Sequence, residues 1–330
     1  MSRELWVPWE WVRSDYGAPL EVHPYALTIK AHRGVHSQAE LSTDSHYSGR
    51  CRHHDAVDSA DDALPCILQG DGLFRLYDGN HRAAYRFATG KSSLKVSVED
   101  VSPSWVADLD QPLGALYGDE SLYQAIEHPW FDSWKQRRAP DRLKAVKAWC
   151  ADSLNAGFLC PGPYAHALDL GSCTGAVSRL LSRFGFWATG IDSDARVVRI
   201  ADRLGSVFPA APVHYMVADI REVMKRSPKA APPYDWHWQH WQYEVVVALS
   251  LLHHWFEQSL DDSVALLRLL GERTKSLIVD VPSVEEDWIH SAVCLADVEP
   301  AWRAALSHMD CDVLGIHDGR RMLAFRRNVR

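Results

Sequence analysis

The sequence predicts an α/β protein in which a smaller α+β domain precedes a doubly wound, mostly parallel sheet that ends in an antiparallel hairpin. Three observations predict it. After Tyr164, five continuous apolar runs alternate with helix-like stretches, the mark of parallel strands covered on both faces. Near the end, "CDVLGI" and "RMLAFRR" flank an Asp-Gly turn, a hairpin signal. Ahead of both lies a shorter hairpin–helix–strand pattern. With 330 residues, 47% of them hydrophobic and 24% charged, the chain is long enough for two packed cores.

Up to about residue 60 the pattern is weak, and the apolar run Tyr25 to Ile29 is its main feature. From Ala63, "ALPCIL" and "LFRLYDG" bracket the turn Gln69-Gly70-Asp71-Gly72, which predicts two paired strands. "NHRAAYRFATG" predicts a helix, with Asn80 as N-cap, Ala83, Ala84 and Phe87 on one face and Gly90 as its stop. "LKVSVEDV" follows as a strand. In "HPWFDSWKQRRAPDRLKAVKAWC", Leu143, Val146 and Trp149 stand at helical spacing. The expected organisation is a domain over 1–115, a helical connector or lid over 116–163, and the sheet domain over 164–330. There the strands are "HALDLG", "FWATGID", "VHYMVAD", "YEVVVALS" and "SLIVDVP".

Charge and cysteine usage exclude some classes. The formal net charge of -8 argues against bulk attraction to nucleic acid or anionic membrane. Seven cysteines, odd in number and without a CxxC pair, suit reduced thiols, and no apolar run is long enough to span a bilayer. These readings give a soluble, cytoplasmic chain. Cys51, His53 and His54 are metal-ligand types, but adjacent histidines without a second ligand pair read as an exposed loop, so no metal is expected.

The candidate site begins at "ALDLGSCTGAVSRLL", a strand, a Gly-x-x-x-Gly turn and a helix start. Asp169 stands at the mouth of the turn. A carboxylate there repels a pyrophosphate and attracts an ammonium or sulfonium group. Asp192 ends the next strand, about 20 residues further on, where an acid accepts from ribose hydroxyls. Asp219 ends the third, placed to accept from an adenine amino group. Together the three acids describe an adenosine with a positive tail.

At these residues the chain from about 165 to 330 resembles the class I S-adenosylmethionine-dependent methyltransferases. "LDLGSCTG" is similar to that family's first motif, "GIDSD" to its second-strand acid, "ADI" to its third motif and "YEVVVALSLLHHW" to its fourth. The resemblance implies a Rossmann-like fold and S-adenosyl-L-methionine as cofactor. Carried over to this chain, it implies contacts from Asp169, Gly171, Ser172, Cys173, Gly175, Asp192, Ser193, Asp219, Ile220, Leu249 and Ser250. One departure is Cys173, where the family usually has glycine.

The segment "SLLHHWF" faces the transferable methyl in that family. A histidine there can take the acceptor's proton, so His254 and His253 are the candidate bases. Trp130, Trp134 and Arg138 in the connector are candidate substrate or lid residues, and the Trp-rich stretch Tyr234 to Tyr243 either cages a cation or covers the sheet. "LYDGNHRAAYRFATG" resembles the signature of the ParB/sulfiredoxin-like fold, which implies a site at Asp78, Asn80, His81 and Arg82 and a nucleotide as its ligand.

The function expected is methyl transfer to an O or N atom of a small-molecule substrate. One alternative uses the same cofactor for cyclisation or aminocarboxypropyl transfer, releasing methylthioadenosine. Another is a nucleotide-sensing or DNA-associated module.

Overall fold

The structure, a computed structural model, describes residues 3–14, 17–22, 62–88, 90–101, 109, 112–116, 121–124, 126–131, 135–136, 141–162, 164–207, 213–220, 242–255, 260–283, 294–317 and 319–327. The chain divides into two compact units. The first comprises Met1–Gln111 with Glu127–Ser133, and the second Pro112–Ile126 with Trp134–Arg330.

The first unit is a five-stranded sheet in the order β1-β5-β3-β4-β2, made of β1 (Arg3–Pro8), β2 (Val12–Arg13), β3 (Leu64–Leu68), β4 (Phe74–Leu76) and β5 (Ser93–Val101). The expected hairpin is present: β3 pairs antiparallel with β4, Leu68 opposite Phe74. Period-two alternation sends Leu64, Cys66 and Leu68 inward, each fully buried, with Phe74, Leu76, Leu94 and Val96. Burying each such leucine contributes about 1.5–3 kcal/mol. Strand β1 pairs antiparallel with β5; the weak pattern before residue 60 did not predict it. Helix α1 (Asn80–Ala88) follows the hairpin and buries Ala83 and Ala84. Its first bond runs from the Ala83 N–H to the Gly79 carbonyl, so the cap falls one residue before Asn80. Gly90 ends it with φ 86°.

The second unit holds a small pair, β6 (Ser121–Leu122) with β7 (Lys135–Gln136). Its main sheet has seven strands: β8 (His166–Leu170), β9 (Trp187–Asp192), β10 (His214–Val217), β11 (Tyr243–Ala248), β12 (Thr274–Val281), β13 (Met309–His317) and β14 (Arg320–Arg327). The order is β10-β9-β8-β11-β12-β14-β13. Strands β8 to β12 run parallel to one another, and β14 runs antiparallel to both β12 and β13. This is a Rossmann-like, doubly wound sheet with an antiparallel C-terminal hairpin.

The continuous apolar strands follow from burial on both faces. Successive side chains of β8 point to opposite sides, so Leu168 and Leu170 join a core with Leu266, Leu267 and Trp302, while Ala167 joins another with Val146, Trp149, Val177 and Leu180. Helices α2 (Asp141–Asn155), α3 (Ala176–Arg183), α4 (Ala195–Val207), α5 (Leu260–Arg273) and α6 (Leu295–Ala305) flank the sheet. Helix α2 is the helix expected from Leu143, Val146 and Trp149, and it packs into the second core as part of this unit. Strand order reverses between β8 and β11. In open α/β sheets that crevice, beyond the carboxyl ends of the strands, is where ligands bind. No helix among the described residues is long and apolar enough to cross a membrane.

Candidate functional site

Two turns flank the crevice. The first leaves β8 and enters α3, with left-handed φ angles at Gly171 (71°), Cys173 (49°) and Gly175 (79°). Glycine adopts such angles freely, whereas a side chain at this conformation is strained. The turn is tied to β9, because the amides of Gly171 and Ser172 both donate to the Ile191 carbonyl, at 2.8 and 3.0 Å. Cys173 stands at the departure noted in the motif. Its N–H donates to Asp192 Oδ2 at 2.9 Å, which offsets the strain of its angle. Gly175 must lack a side chain, since a Cβ there would sit 2.3 Å from Tyr215 Oη.

The strand register sets the three acids along one end of the sheet. Asp169 lies opposite Gly190 of β9, Asp192 lies opposite Val217 of β10, and Asp219 follows two residues later. Asp192 is half-buried, and its carboxylate accepts from the Cys173 and Asp194 amides, both at 2.9 Å. Each oxygen retains lone pairs for further donors. Asp169 is only 3% exposed. It accepts from the Ser178 N–H at 2.9 Å and hydroxyl at 2.6 Å, which anchors the first turn of α3. Burial pushes its carboxyl up to about 7, against the lowering effect of the Ser178 bonds. Ser172 is fully buried, and its Oγ has no hydrogen-bond partner among the described residues. Ser193 is exposed and Ile220 buried at the ends of β9 and β10.

The second turn leaves β11 through Leu249, Ser250 and Leu251 into a 3-10 turn over Leu252–Trp255. The two turns meet: a Cβ at Gly171 would lie 3.2 Å from Leu251 Cδ1. Ser250 has φ 51°, also left-handed. His253 is buried at 7% exposure and His254 is exposed, their ring centroids 4.0 Å apart. Beneath the turn, sequence reasoning missed a buried ionic cluster. Asp280 of β12 accepts from the Ser250 N–H at 2.7 Å and from Arg142 Nη1 of α2 at 2.9 Å, and Arg320 Nη1 of β14 lies 3.5 Å away. No local motif joins these residues. The one signal available was an acid, Asp280, inside the apolar run of β12.

Trp134, Arg138, Tyr234 to Trp241 of the Trp-rich stretch, and Cys51, His53 and His54 fall outside the described residues. Trp130 is buried in the first unit, in the 3-10 turn Pro129–Phe131, with the Arg3 guanidinium 4.5 Å from its ring centroid. Beside it, buried His128 contacts the Gly72 carbonyl through Nε2 at 2.8 Å and accepts the Trp130 N–H at Nδ1. Burial pushes the His128 imidazole down to about 4. Asp78 is exposed, 3.9 Å from Arg82, and its Oδ1 accepts the Gly79 N–H. Asn80 and His81 open α1. Among the described residues no three His, Cys, Asp or Glu side chains group to hold a metal.

No protein-family model matches this chain, and no curated protein does. Solved structures do. Two crystal structures of WbdD, one a complex with the kinase inhibitor LY294002, superpose with TM-scores of 0.52 and 0.51 at 21% and 22% identity. Each alignment covers 66% of this chain and 47% of the WbdD chain, so the match spans about half of that protein. WbdD is described as a bifunctional kinase-methyltransferase. The magnesium protoporphyrin IX methyltransferase ChlM of Synechocystis PCC 6803, with bound SAH, aligns at TM-score 0.44 and 14% identity over 68% of this chain and 97% of that one, too loosely to carry an argument. At these identities the likeness is one of fold.

Proposed function

We propose that residues 164–330 form a domain that binds S-adenosylmethionine and transfers its methyl group to an O or N atom of a small molecule. The observation that carries this reading is the grouping of Asp169, Asp192 and Asp219 at the ends of three adjacent strands, beside a turn with three successive left-handed sites at Gly171, Cys173 and Gly175. The residues fit the nucleoside. Asp192, fixed by two amides at the rim, can accept ribose hydroxyls, Asp219 can accept from the adenine amino group, and the unpartnered Ser172 Oγ can bond a polar group of the methionine tail.

When bound, the cofactor supplies an electrophilic methyl on a positively charged sulfur. The protein's share is alignment and proton removal. Asp169 anchors the helix that follows the turn through Ser178, and a cation nearby favours its ionised form. Binding near neutral pH therefore releases a proton from this carboxyl. The exposed His254 takes the acceptor's proton as the methyl moves. The methyltransferase description of WbdD agrees with this reading.

Turnover of S-adenosylmethionine by the purified chain with a small-molecule panel tests it. Methyl transfer leaves S-adenosylhomocysteine, whereas release of methylthioadenosine would replace this reading with attack on the aminocarboxypropyl group. Absence of any product together with absence of S-adenosylhomocysteine binding would remove both.

A further inference from the structure

We propose that Asp280 is a positioning residue for this site, resting on the reading above. From the buried end of β12 it holds Ser250 in its left-handed conformation, and through Arg320 it sets the tautomer of His253, which withdraws that ring from base chemistry.

The carboxylate reaches the turn through both oxygens. Oδ1 takes the Ser250 amide at 2.7 Å, while Oδ2 takes Arg142 Nη1 at 2.9 Å and lies 3.5 Å from Arg320 Nη1 and from Ser250 Oγ. Arg142 Nη1 also donates to Ser250 Oγ, at 2.5 Å. Backbone and side chain of Ser250 are therefore gripped together, at a φ of 51° that a serine does not adopt unaided. The grip comes from three elements far apart in the chain, α2, β12 and β14, all packed in the one unit. Asp280 is 2% exposed and Arg320 fully buried, so water does not compete for these bonds.

The second consequence concerns protons. Arg320 Nη1 lies 3.4 Å from His253 Nδ1. A guanidinium only donates, so Nδ1 is the acceptor and the ring's hydrogen sits on Nε2. With one nitrogen facing a cation and the other already protonated, His253 has no lone pair to offer a substrate. His254, next in sequence, is exposed. Of the pair that the sequence left undecided, His253 is thus the structural ring.

Two measurements on the full chain test this. In long-range 1H–15N spectra, His253 of the wild type is expected to show the Nε2–H tautomer, and Arg320→Gln is expected to change its nitrogen shifts. An Nδ1–H tautomer in the wild type would overturn the assignment. For Ser250, Asp280→Asn and Asp280→Ala are expected to weaken S-adenosylhomocysteine binding by about tenfold, with the second at least as strong as the first. Adding Ser250→Gly, which needs no grip to reach a positive φ, should recover most of that loss. A loss that glycine does not recover would overturn the positioning role, because general loosening of the core is indifferent to residue 250. If Asp280→Ala does not fold, Asp280→Asn with and without Ser250→Gly gives the same comparison. If the wild type binds no S-adenosylhomocysteine, the functional reading fails. Amide exchange at Ser250 then decides the inference alone: faster in Asp280→Asn supports it, unchanged overturns it.

Discussion

The turns after β8 and β11 solve the same problem with different means. Cys173 and Ser250 are the two non-glycine residues with positive φ among the described residues, at 49° and 51°. Each is held by a carboxylate of a neighbouring strand that accepts its backbone N–H, Asp192 at 2.9 Å and Asp280 at 2.7 Å. The difference lies in what else each carboxylate does. Asp192 is half-buried at the rim and keeps acceptor capacity toward the crevice, whereas Asp280 is buried and committed to two arginines. One turn is built to meet a ligand, the other to stay in place. An acid near a left-handed turn is therefore not by itself a ligand site; its exposure and its other partners decide.

The largest expected effect separates the two acids directly. Removing Asp280 leaves Arg142 and Arg320 buried without their shared carboxylate, so Asp280→Ala should cost about 3–5 kcal/mol of stability, read by urea denaturation. Asp192→Ala should cost about 1 kcal/mol or less while abolishing ligand binding. Equal stability losses would erase the distinction.

A second test uses pH at the first turn. The native Asp169 carboxyl titrates near 7, well above its ordinary value of 3.8. Between those values the folded chain holds a proton the unfolded chain has lost, so its contribution to stability is complete below the lower value and is lost as pH rises through the upper. From about pH 4.5 to about pH 6.5 this amounts to about 2–3 kcal/mol. Asp169→Asn should flatten that part of the stability curve, and a curve unchanged in slope would show the carboxyl to be ordinary.

Next in size is Gly175→Ala. The new Cβ would meet Tyr215 Oη at 2.3 Å, and φ is 79°; together these should cost about 2–3 kcal/mol, measured as a fall in thermal midpoint. Smallest is Cys173→Gly. It relieves the left-handed strain but adds backbone freedom to the unfolded chain, so stability should change by about 1 kcal/mol or less. A larger loss would mean that the Cys173 side chain packs against something the turn needs.

The sheet of the second unit was legible because each parallel strand is buried on both faces and so reads as a continuous apolar run, as Val245 to Ala248 and Leu277 to Val279 show. The hairpin β13–β14 was legible from its Asp-Gly turn, and the acids Asp192 and Asp219 from their place after strands. Strand β1 was not, since Val7 is its one fully buried residue and its partner β5 lies some ninety positions away. Buried His128 was hidden because its bonds, to the Gly72 carbonyl and the Trp130 amide, are to backbone and leave no residue-type signature. The Arg142–Asp280–Arg320 cluster was hidden for a related reason. Its members stand between 30 and 138 positions from the groups they grip, distances no local pattern spans.

Calorimetric titration of S-adenosylhomocysteine into the wild-type chain and into Asp192→Asn tests the central claim most directly. The account predicts one site per chain with proton release near pH 7, and an affinity at least about tenfold weaker in the variant. Absence of heat in the wild type, or equal affinity in the two proteins, would contradict it.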